Sequence, residues 1–357
     1  MAFELVIGQG RAKQILSAAV HRDRLPHALL FHGPEGVGKD ALALELAKLL
    51  NCSHPPCRTC PSCLKISQGQ HPDVKLILPV PSSMKVEEIG ILLRERAQQP
   101  YFSRPFTKPA SISIEAVREL QKALAYRPFE GKWKVVLVAE ADRMTPEAAN
   151  ALLKTLEEPP PATVLILTTA RPHALLPTIV SRCQKLRLDP LSEEEIEKAL
   201  IDRLKADLPK ARLASRLAVG NYRKAMEFID EDVDRLREEA LGVLTVGLSA
   251  TVAEMVEAAE SLSGRVHRDD LKNLLNVALL WMRDLLLLHE GRENEGIANV
   301  DRLAELRKLA RKYPSPEIGK GIAAVKGTLE VIDRNANQQL ALMGLMLQLK
   351  KSGRYGS

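Results

Sequence analysis

Aromatic residues are scarce in this chain of 357 residues: two Trp, five Tyr and six Phe make up 4% of it. Its cores must therefore be built from Leu, Ile, Val and Ala, as in helical proteins. Long hydrophobic runs are also missing. The most apolar stretch, Leu274 to Leu288, is broken by Arg283 and Asp284 and is too short to span a bilayer, which argues against a membrane role. The first residues, Met1-Ala2-Phe3-Glu4-Leu5-Val6-Ile7-Gly8, show neither a basic-then-apolar run nor a cleavage pattern, so a cytoplasmic protein is expected. Cysteine is rare except in one place. Four of the five fall between positions 52 and 63, a density that points to metal before disulfides. Neither sign of charge dominates: a net +6 permits contact with nucleic acid and serves solubility equally well.

The length suggests two or three domains. Residues 1–189 alternate helical and strand patterns, as an α/β domain should. Leu29-Leu30-Phe31-His32 reads as a strand entering a glycine-rich loop, and Asp40 to Leu50 as a helix with Leu42, Leu46 and Leu49 on one face. Val74 to Val80 reads as a second strand. Residues 81–112, with prolines, paired serines and little periodicity, are expected to be an irregular insertion. Ser113 caps a helix from Ile114 to Tyr126. A strand follows at Val135, then a helix with Thr145 as cap, Pro146 in its first turn and Glu147 facing the dipole. Pro159-Pro160-Pro161 ends that helix, and strands follow at Val164 to Thr168 and Cys183 to Leu188.

From Ser192 the pattern is wholly helical. Ser192-Glu193-Glu194-Glu195 is a capping box that opens a small helical module, 190–232. A separate all-α domain, 233–350, precedes a tail at 351–357. Within it Leu271, Leu274, Leu275, Ala278, Met282, Leu285 and Leu286 follow the 3–4 spacing of a buried helix face, and Pro314 and Pro316 punctuate the pattern before a final pair of helices.

Gly33-Pro34-Glu35-Gly36-Val37-Gly38-Lys39-Asp40 fits a phosphate-cradling loop up to its last position. Such a turn from strand to helix aims free backbone N–H groups at one point, and Lys39 supplies charge for the outer phosphates. The last position should carry a Ser or Thr hydroxyl for magnesium, and it carries Asp40. The strand Val135-Val136-Leu137-Val138 should end in Asp-Glu, and it ends in Ala139-Glu140. Hydrolysis in this class needs a magnesium ion held by those two ligands. Glu140 keeps the water-polarising position without a metal to work beside. Turnover is therefore not expected, while ATP or ADP binding stays open.

Cys52, Cys57, Cys60 and Cys63 are spaced C-x4-C-x2-C-x2-C. Four thiolates so close can surround one zinc tetrahedrally and leave no open position, which makes the metal structural rather than catalytic. His54 and His71 lie in or just after the cluster and are expected to be solvated loop residues; Cys183 is expected to be a small buried residue. Ser181-Arg182-Cys183 stands at the rim of a strand. Arg182 there could reach a neighbouring subunit's γ-phosphate or form a surface ion pair, and Arg223, in Gly220-Asn221-Tyr222-Arg223, is equally ambiguous by itself.

The run Glu140-Ala141-Asp142-Arg143-Met144-Thr145-Pro146-Glu147-Ala148-Ala149-Asn150-Ala151-Leu152-Leu153-Lys154-Thr155-Leu156-Glu157-Glu158-Pro159-Pro160 closely resembles the bacterial clamp-loader subunits of DNA polymerase III. So do Ser181-Arg182-Cys183, the cysteine module directly after the phosphate-loop helix, Gly8-Gln9, and His27-Ala28-Leu29-Leu30-Phe31-His32-Gly33-Pro34. Asn335-Ala336-Asn337-Gln338-Gln339-Leu340-Ala341-Leu342 resembles the last collar helix of that family. The resemblance spans nearly the whole chain. Two kinds of subunit in the family carry a phosphate loop. The gamma or tau kind is the working ATPase; the delta-prime kind commonly has a degraded site and lends an arginine to its neighbour. Asp40, Ala139 and an end soon after the collar-like helix make this chain look like the second.

The resemblance implies an α/β AAA+ P-loop domain (1–189) with a structural zinc module (52–63), a small helical lid (190–232) and an all-α collar (233–350). It implies that Arg182 acts in trans as an arginine finger and that Gly33, Gly36, Gly38, Lys39, Asp40, Glu140, Thr168 (or Thr169) and Arg223 line a degraded nucleotide site. The helix from Ser113, with Arg118 and Lys122, would face template DNA. The implied partners are the gamma/tau ATPase and delta subunits, the sliding clamp and primed DNA. Two features depart from the family: the first cysteine gap is short, and the insertion at 81–112 is long. Two other readings stand beside this one. One is an active gamma-like ATPase using Asp40 or Glu140 as unusual metal ligands; the other is a zinc-stabilised DNA-binding module, which leaves the Ser-Arg-Cys motif unexplained.

Overall fold

Strands with no polar alternation need cover on both faces, and the N-terminal unit is built to supply it. In a computed structural model describing residues 3–54, 57–104, 106–230, 233–292, 296–313, 315–334 and 336–353, the chain divides into two compact units. The first comprises residues 1–204 and 218–225. Its strands are β1 (Ala28–His32), β2 (Val74–Ile77), β3 (Lys134–Val138), β4 (Thr163–Thr169) and β5 (Gln184–Arg187). They form one parallel sheet in the order β2-β3-β4-β1-β5, with β3 and β4 buried along their whole length. Its helices are α1 (Gly10–His21), α2 (Lys39–Asn51), α3 (Pro61–Ser67), α4 (Val86–Gln98), α5 (Ile114–Leu124), α6 (Pro146–Glu157), α7 (Pro177–Arg182) and α8 (Glu193–Leu204).

Leu30, Val136, Val138, Leu165 and Leu167 of the sheet pack with Val117 and Leu120 of α5, Leu152 and Leu156 of α6, and Ile179 of α7. Each such side chain contributes about 1.5–3 kcal/mol on leaving water. The expected caps are in place. Ser113 Oγ accepts from the Ala116 N–H, Thr145 Oγ1 accepts from the Ala148 N–H, and Ser192 and Glu195 exchange both bonds of a capping box. Helix α2 is buried from Asp40 to Asn51, more fully than its one-sided leucine pattern foretold.

Two expectations need correction. Residues 81–112 are not irregular throughout, because α4 occupies thirteen of them. Ile89, Leu92, Leu93, Arg96 and Ala97 recur at helical spacing, and the Glu88 carboxylate caps the Lys85 N–H at 2.9 Å. The flanking prolines obscured that signal. The second strand stops at Ile77 rather than Val80, since Pro79 has no N–H for a ladder. Val80 instead exchanges two backbone bonds of 3.1 Å with Ser111.

The second unit comprises residues 205–217 and 226–357. It holds α9 (Leu208–Leu217), the later part of α10 (Tyr222–Asp230), α11 (Val233–Ser249), α12 (Val252–Arg265), α13 (Arg268–His289), α14 (Leu303–Lys312), α15 (Ser315–Asp333) and α16 (Gln338–Gly353). The stretch 190–232, expected as one lid, is thus shared between the two units. Helix α13 buries Leu271, Leu274, Leu275, Ala278, Met282 and Leu285 as its spacing requires, while Leu286 is partly exposed. Asp284 on the same helix is fully buried and accepts from the Ala298 and Asn299 N–H groups and the Asn299 side chain. Pro316 lies in the first turn of α15, where its missing N–H costs nothing. Pro314, Asn335 and residues 354–357 of the tail lie outside the described residues. Among the described residues no helix is long and apolar enough to cross a membrane.

Candidate nucleotide site and cysteine cluster

Parallel sheets bring their functional residues to the carboxyl ends of the strands, and three strand ends meet here. The loop 33–38 runs from β1 into α2, Ala139 and Glu140 follow β3, and Thr168 and Thr169 close β4, with Phe31 paired to Thr168 across the sheet. The loop needs its glycines. Gly36 has φ 67°, and a Cβ there would lie 1.7 Å from Asn221 Oδ1. Lys39 opens α2 and folds back on the loop, its ammonium donating to the Gly33 carbonyl at 2.8 Å and the Pro34 carbonyl at 2.5 Å. Burial lowers its pKa below the usual lysine range, against the pull of Asp40 and Glu35.

Asp40 is buried and faces inward, where it meets a partner the sequence did not disclose. Arg96, on the last turn of α4, places Nη2 at 2.7 Å and Nε at 2.9 Å from Asp40 Oδ2. Thr168 Oγ1 donates to the other carboxylate oxygen at 2.8 Å and accepts from the Glu140 N–H at 3.3 Å. Glu140 is also engaged: Oε1 lies 3.4 Å from Arg96 Nη2, and Oε2 accepts from Arg143 Nη1 at 3.1 Å. The remaining Arg96 nitrogen, Nη1, donates to the Phe102 carbonyl. One guanidinium, itself 5% exposed, therefore lies between the carboxylates of Asp40 and Glu140. An arginine at a core-facing position of a helical pattern was the available signal, and reading 81–112 as irregular concealed it.

Arg223 is brought to the same place. Its Nε donates to the Tyr101 carbonyl at 3.0 Å, and burial, then the nearby Arg96 charge, lowers its pKa. Thr169 turns instead to Asp142, to which it donates at 2.6 Å. Ala139 is buried and has no side-chain ligand to offer. Arg182 ends α7, with its side chain 35% exposed, pairs with Glu157 at 2.5 Å and donates to the Thr178 carbonyl at 2.8 Å. Arg118 and Lys122 are exposed on α5. Cys183 is buried in the core, which pushes its thiol up to about 11.

The four clustered cysteines converge. Their Sγ atoms all lie within 4.8 Å of one another, with Cys52 to Cys57 at 3.4 Å and Cys52 to Cys60 at 3.8 Å. A tetrahedron of Zn–S bonds of about 2.3 Å has edges of about 3.8 Å, so the donor set fits zinc. The N–H groups of Cys57, Cys60 and Cys63 point at the sulfurs of Cys52, Cys57 and Cys60 at 3.3–3.5 Å, which favours thiolates. The N–H groups of Cys60 and Thr59 draw the Cys57 thiol down to about 6, whereas burial raises that of Cys63. His54 is exposed, as expected. His71 is not solvated: it is buried between Ser62 Oγ at 3.0 Å and the Asp73 N–H at 3.1 Å, and it serves as a structural bridge beside the cluster.

Two family models match the chain: DNA polymerase III, delta subunit, over residues 8–192, and DNA polymerase III, delta subunit, C terminal, over residues 247–351. DNA polymerase III subunit delta' of Bacillus subtilis is 29% identical over 359 residues, covering 96% of this chain and 96% of that protein. The subunit delta' of Pseudomonas aeruginosa is 30% identical, covering 90% of this chain and 91% of that one. The subunit tau of Escherichia coli is 33% identical over 91% of this chain but only 46% of its own length. The chain thus spans nearly the whole of these delta' proteins and about half of that tau protein.

Proposed function

The chain belongs to the DNA polymerase III delta-subunit family, and from that premise we propose that it is a delta-prime-like clamp-loader subunit that does not itself hydrolyse ATP. It would assemble with gamma/tau and delta subunits in the cytoplasm and help place the sliding clamp on primed DNA. The observation that carries the non-hydrolysing reading is the buried Asp40–Arg96 pair. A magnesium ion bridging two phosphates needs oxygen ligands from the loop and the strand end. Here the loop ligand is a carboxylate neutralised by an arginine, the strand end is Ala139, and Glu140 is held by two guanidinium groups. A cation would have to displace a guanidinium from a low-dielectric site, and breaking such a pair costs about 3–5 kcal/mol. Gly33, Gly36, Gly38, Lys39, Thr168 and Arg223 are then the remains of a nucleotide site.

Arg182 is the residue this subunit would lend. It is partly exposed at the end of a short helix, and among the described residues it is tied to an exposed glutamate and a carbonyl, contacts that water or a phosphate replaces easily. Cys52, Cys57, Cys60 and Cys63 would hold a structural zinc, whose chemistry is to cross-link the segment after α2. In a reconstituted loader with gamma/tau and delta subunits, Arg182→Ala should leave assembly intact. It should also lower DNA-stimulated hydrolysis at the adjoining site, where an arginine finger is worth about 10³-fold or more. An unchanged rate removes Arg182 from the mechanism. Turnover by the isolated chain with magnesium, abolished by Lys39→Ala, would instead make it an active ATPase.

A further inference from the structure

Strand β2 stands at an edge of the sheet and, among the described residues, pairs with β3 alone. In that parallel ladder alternate residues face β3: the Asp73 carbonyl accepts from the Val135 N–H at 2.9 Å and the Ile77 carbonyl from the Ala139 N–H at 2.9 Å. The backbone groups of Val74 and Leu76 therefore turn the other way. The Val74 N–H is taken by the His71 carbonyl at 3.2 Å. The Val74 carbonyl and both backbone groups of Leu76 have no hydrogen-bond partner among the described residues. We infer that this open edge binds an extended peptide of a partner protein, added to the sheet as a further strand, in which apolar residues alternate with acidic ones.

The apolar half of that pattern follows from a cavity beside the unpaired groups. It has a volume of about 230 Å³ and is lined by Leu44 of α2, Ile66 of α3, Val74 and Leu76 of β2, and Leu93 and Ala97 of α4. An apolar cavity of about 150 Å³ accepts a benzene ring, so this one has room for a leucine or phenylalanine side chain. Side chains alternate between the faces of a sheet, and Val74 and Leu76 share one face. A residue that exchanges both backbone bonds with Leu76 directs its side chain to that same face, into the cavity, and its two neighbours fall on the other face. Backbone bonds then supply affinity and the cavity supplies selectivity, as strand addition requires. The ladder on offer is short. Pro79 follows it, and Val80 is already paired with Ser111.

The acidic half follows from charge. Lys75 is exposed on the face opposite Leu76. Arg94 is exposed at the rim of the cavity, where a Cβ on the lining residue Gly69 would lie 3.4 Å from its Cα. Among the described residues neither cation has a salt bridge or a side-chain hydrogen bond. A second copy of this chain fits the edge poorly, because its own β2 would bring another lysine beside Lys75, and like charges across a strand pair are destabilising. An edge lysine is a common guard against such self-pairing. An acidic peptide turns the same charge into an attraction.

Fluorescence anisotropy with the full-length chain and a labelled peptide, Thr-Glu-Leu-Glu-Val-Thr with both ends blocked, tests this. Saturable binding with a Kd below about 1 mM is expected. Methylating the leucine nitrogen of the peptide deletes the bond to the Leu76 carbonyl while keeping every side chain, and should weaken binding by about tenfold or more. Exchanging the peptide's glutamates for lysines, or Lys75→Glu in the protein, should weaken it by about threefold or more. Amide exchange at Leu76 should slow by about tenfold or more on saturation with peptide, with Lys75, whose N–H faces β3, unchanged. Absence of saturable binding, equal binding of the methylated peptide, or an unaltered Leu76 rate overturns the inference. Self-association of the chain that protects Leu76 without any peptide overturns the choice of occupant.

Discussion

Replacing Arg96 by Met would leave Asp40 as a buried carboxylate without its counter-charge. The two bonds at 2.7 and 2.9 Å connect side chains that are only 5% and 8% exposed. At an effective dielectric near 20, charges about 4 Å apart attract by about 4 kcal/mol, and breaking one partner of a buried pair costs about 3–5 kcal/mol. Thr168 still donates to Asp40, which keeps the cost within that range. Asp40→Ser alone should cost less, because Arg96 retains Glu140 and the Phe102 carbonyl. The double variant Arg96→Met, Asp40→Ser should lie within about 1–2 kcal/mol of wild type, since removing both charges of a buried pair is often near neutral. The coupling energy is then about 2 kcal/mol or more. Global denaturation of a two-unit chain does not isolate this quantity, but amide exchange of β1 and β4 does, because it reports opening of the N-terminal unit alone. Additivity within about 0.5 kcal/mol, or a single Arg96→Met cost below about 1 kcal/mol, would refute the role of the pair.

Two further outcomes are expected. Burial opposes the charge on Asp73, but the N–H groups of Phe129, Gly131 and Glu130 outweigh it and hold its carboxyl below the usual range. A depressed carboxyl stabilises fully above its unfolded value near pH 4 and loses that contribution as pH falls through the folded value. Exchange at Glu130 and Gly131 should therefore accelerate selectively below about pH 4, and Asp73→Asn should cost about 1–3 kcal/mol at neutral pH; a pH-independent exchange pattern would contradict this. Metal analysis of the purified chain should find one zinc, and its removal by chelation should loosen 52–67 while leaving helices 233–350 protected. Absence of zinc from protein purified under reducing conditions, with 52–67 fully protected, would refute the cysteine assignment.

Much of the N-terminal unit was legible because it is written locally. Val135 to Val138 reads as a strand buried on both faces, Thr145-Pro146-Glu147 as a helix start, and Gly33 to Lys39 as a loop whose backbone can turn only with glycine. The cysteine cluster was legible for the same reason, its four thiols lying within twelve residues of chain. Where signals overlapped, reading failed. Prolines at 81, 100, 105 and 109 masked the helical repeat of Ile89, Leu92, Leu93 and Arg96, and His71 gave no sign that it would be buried.

By itself the sequence determined that a glycine-rich loop runs from β1 into α2 with Lys39 and Asp40 at its end and that β3 runs into Ala139-Glu140, because those are properties of residue type at fixed spacing. Only the tertiary structure decided which groups Asp40 and its surroundings meet. Arg96 reaches Asp40 across 56 positions of chain, and Tyr101 reaches the Ile7 N–H across 94. No local pattern encodes such pairings. They arise because folding the end of α4 and the turn after it onto Asp40 and Ile7 takes a charge and a phenol out of water, and each then finds the partner that burial requires.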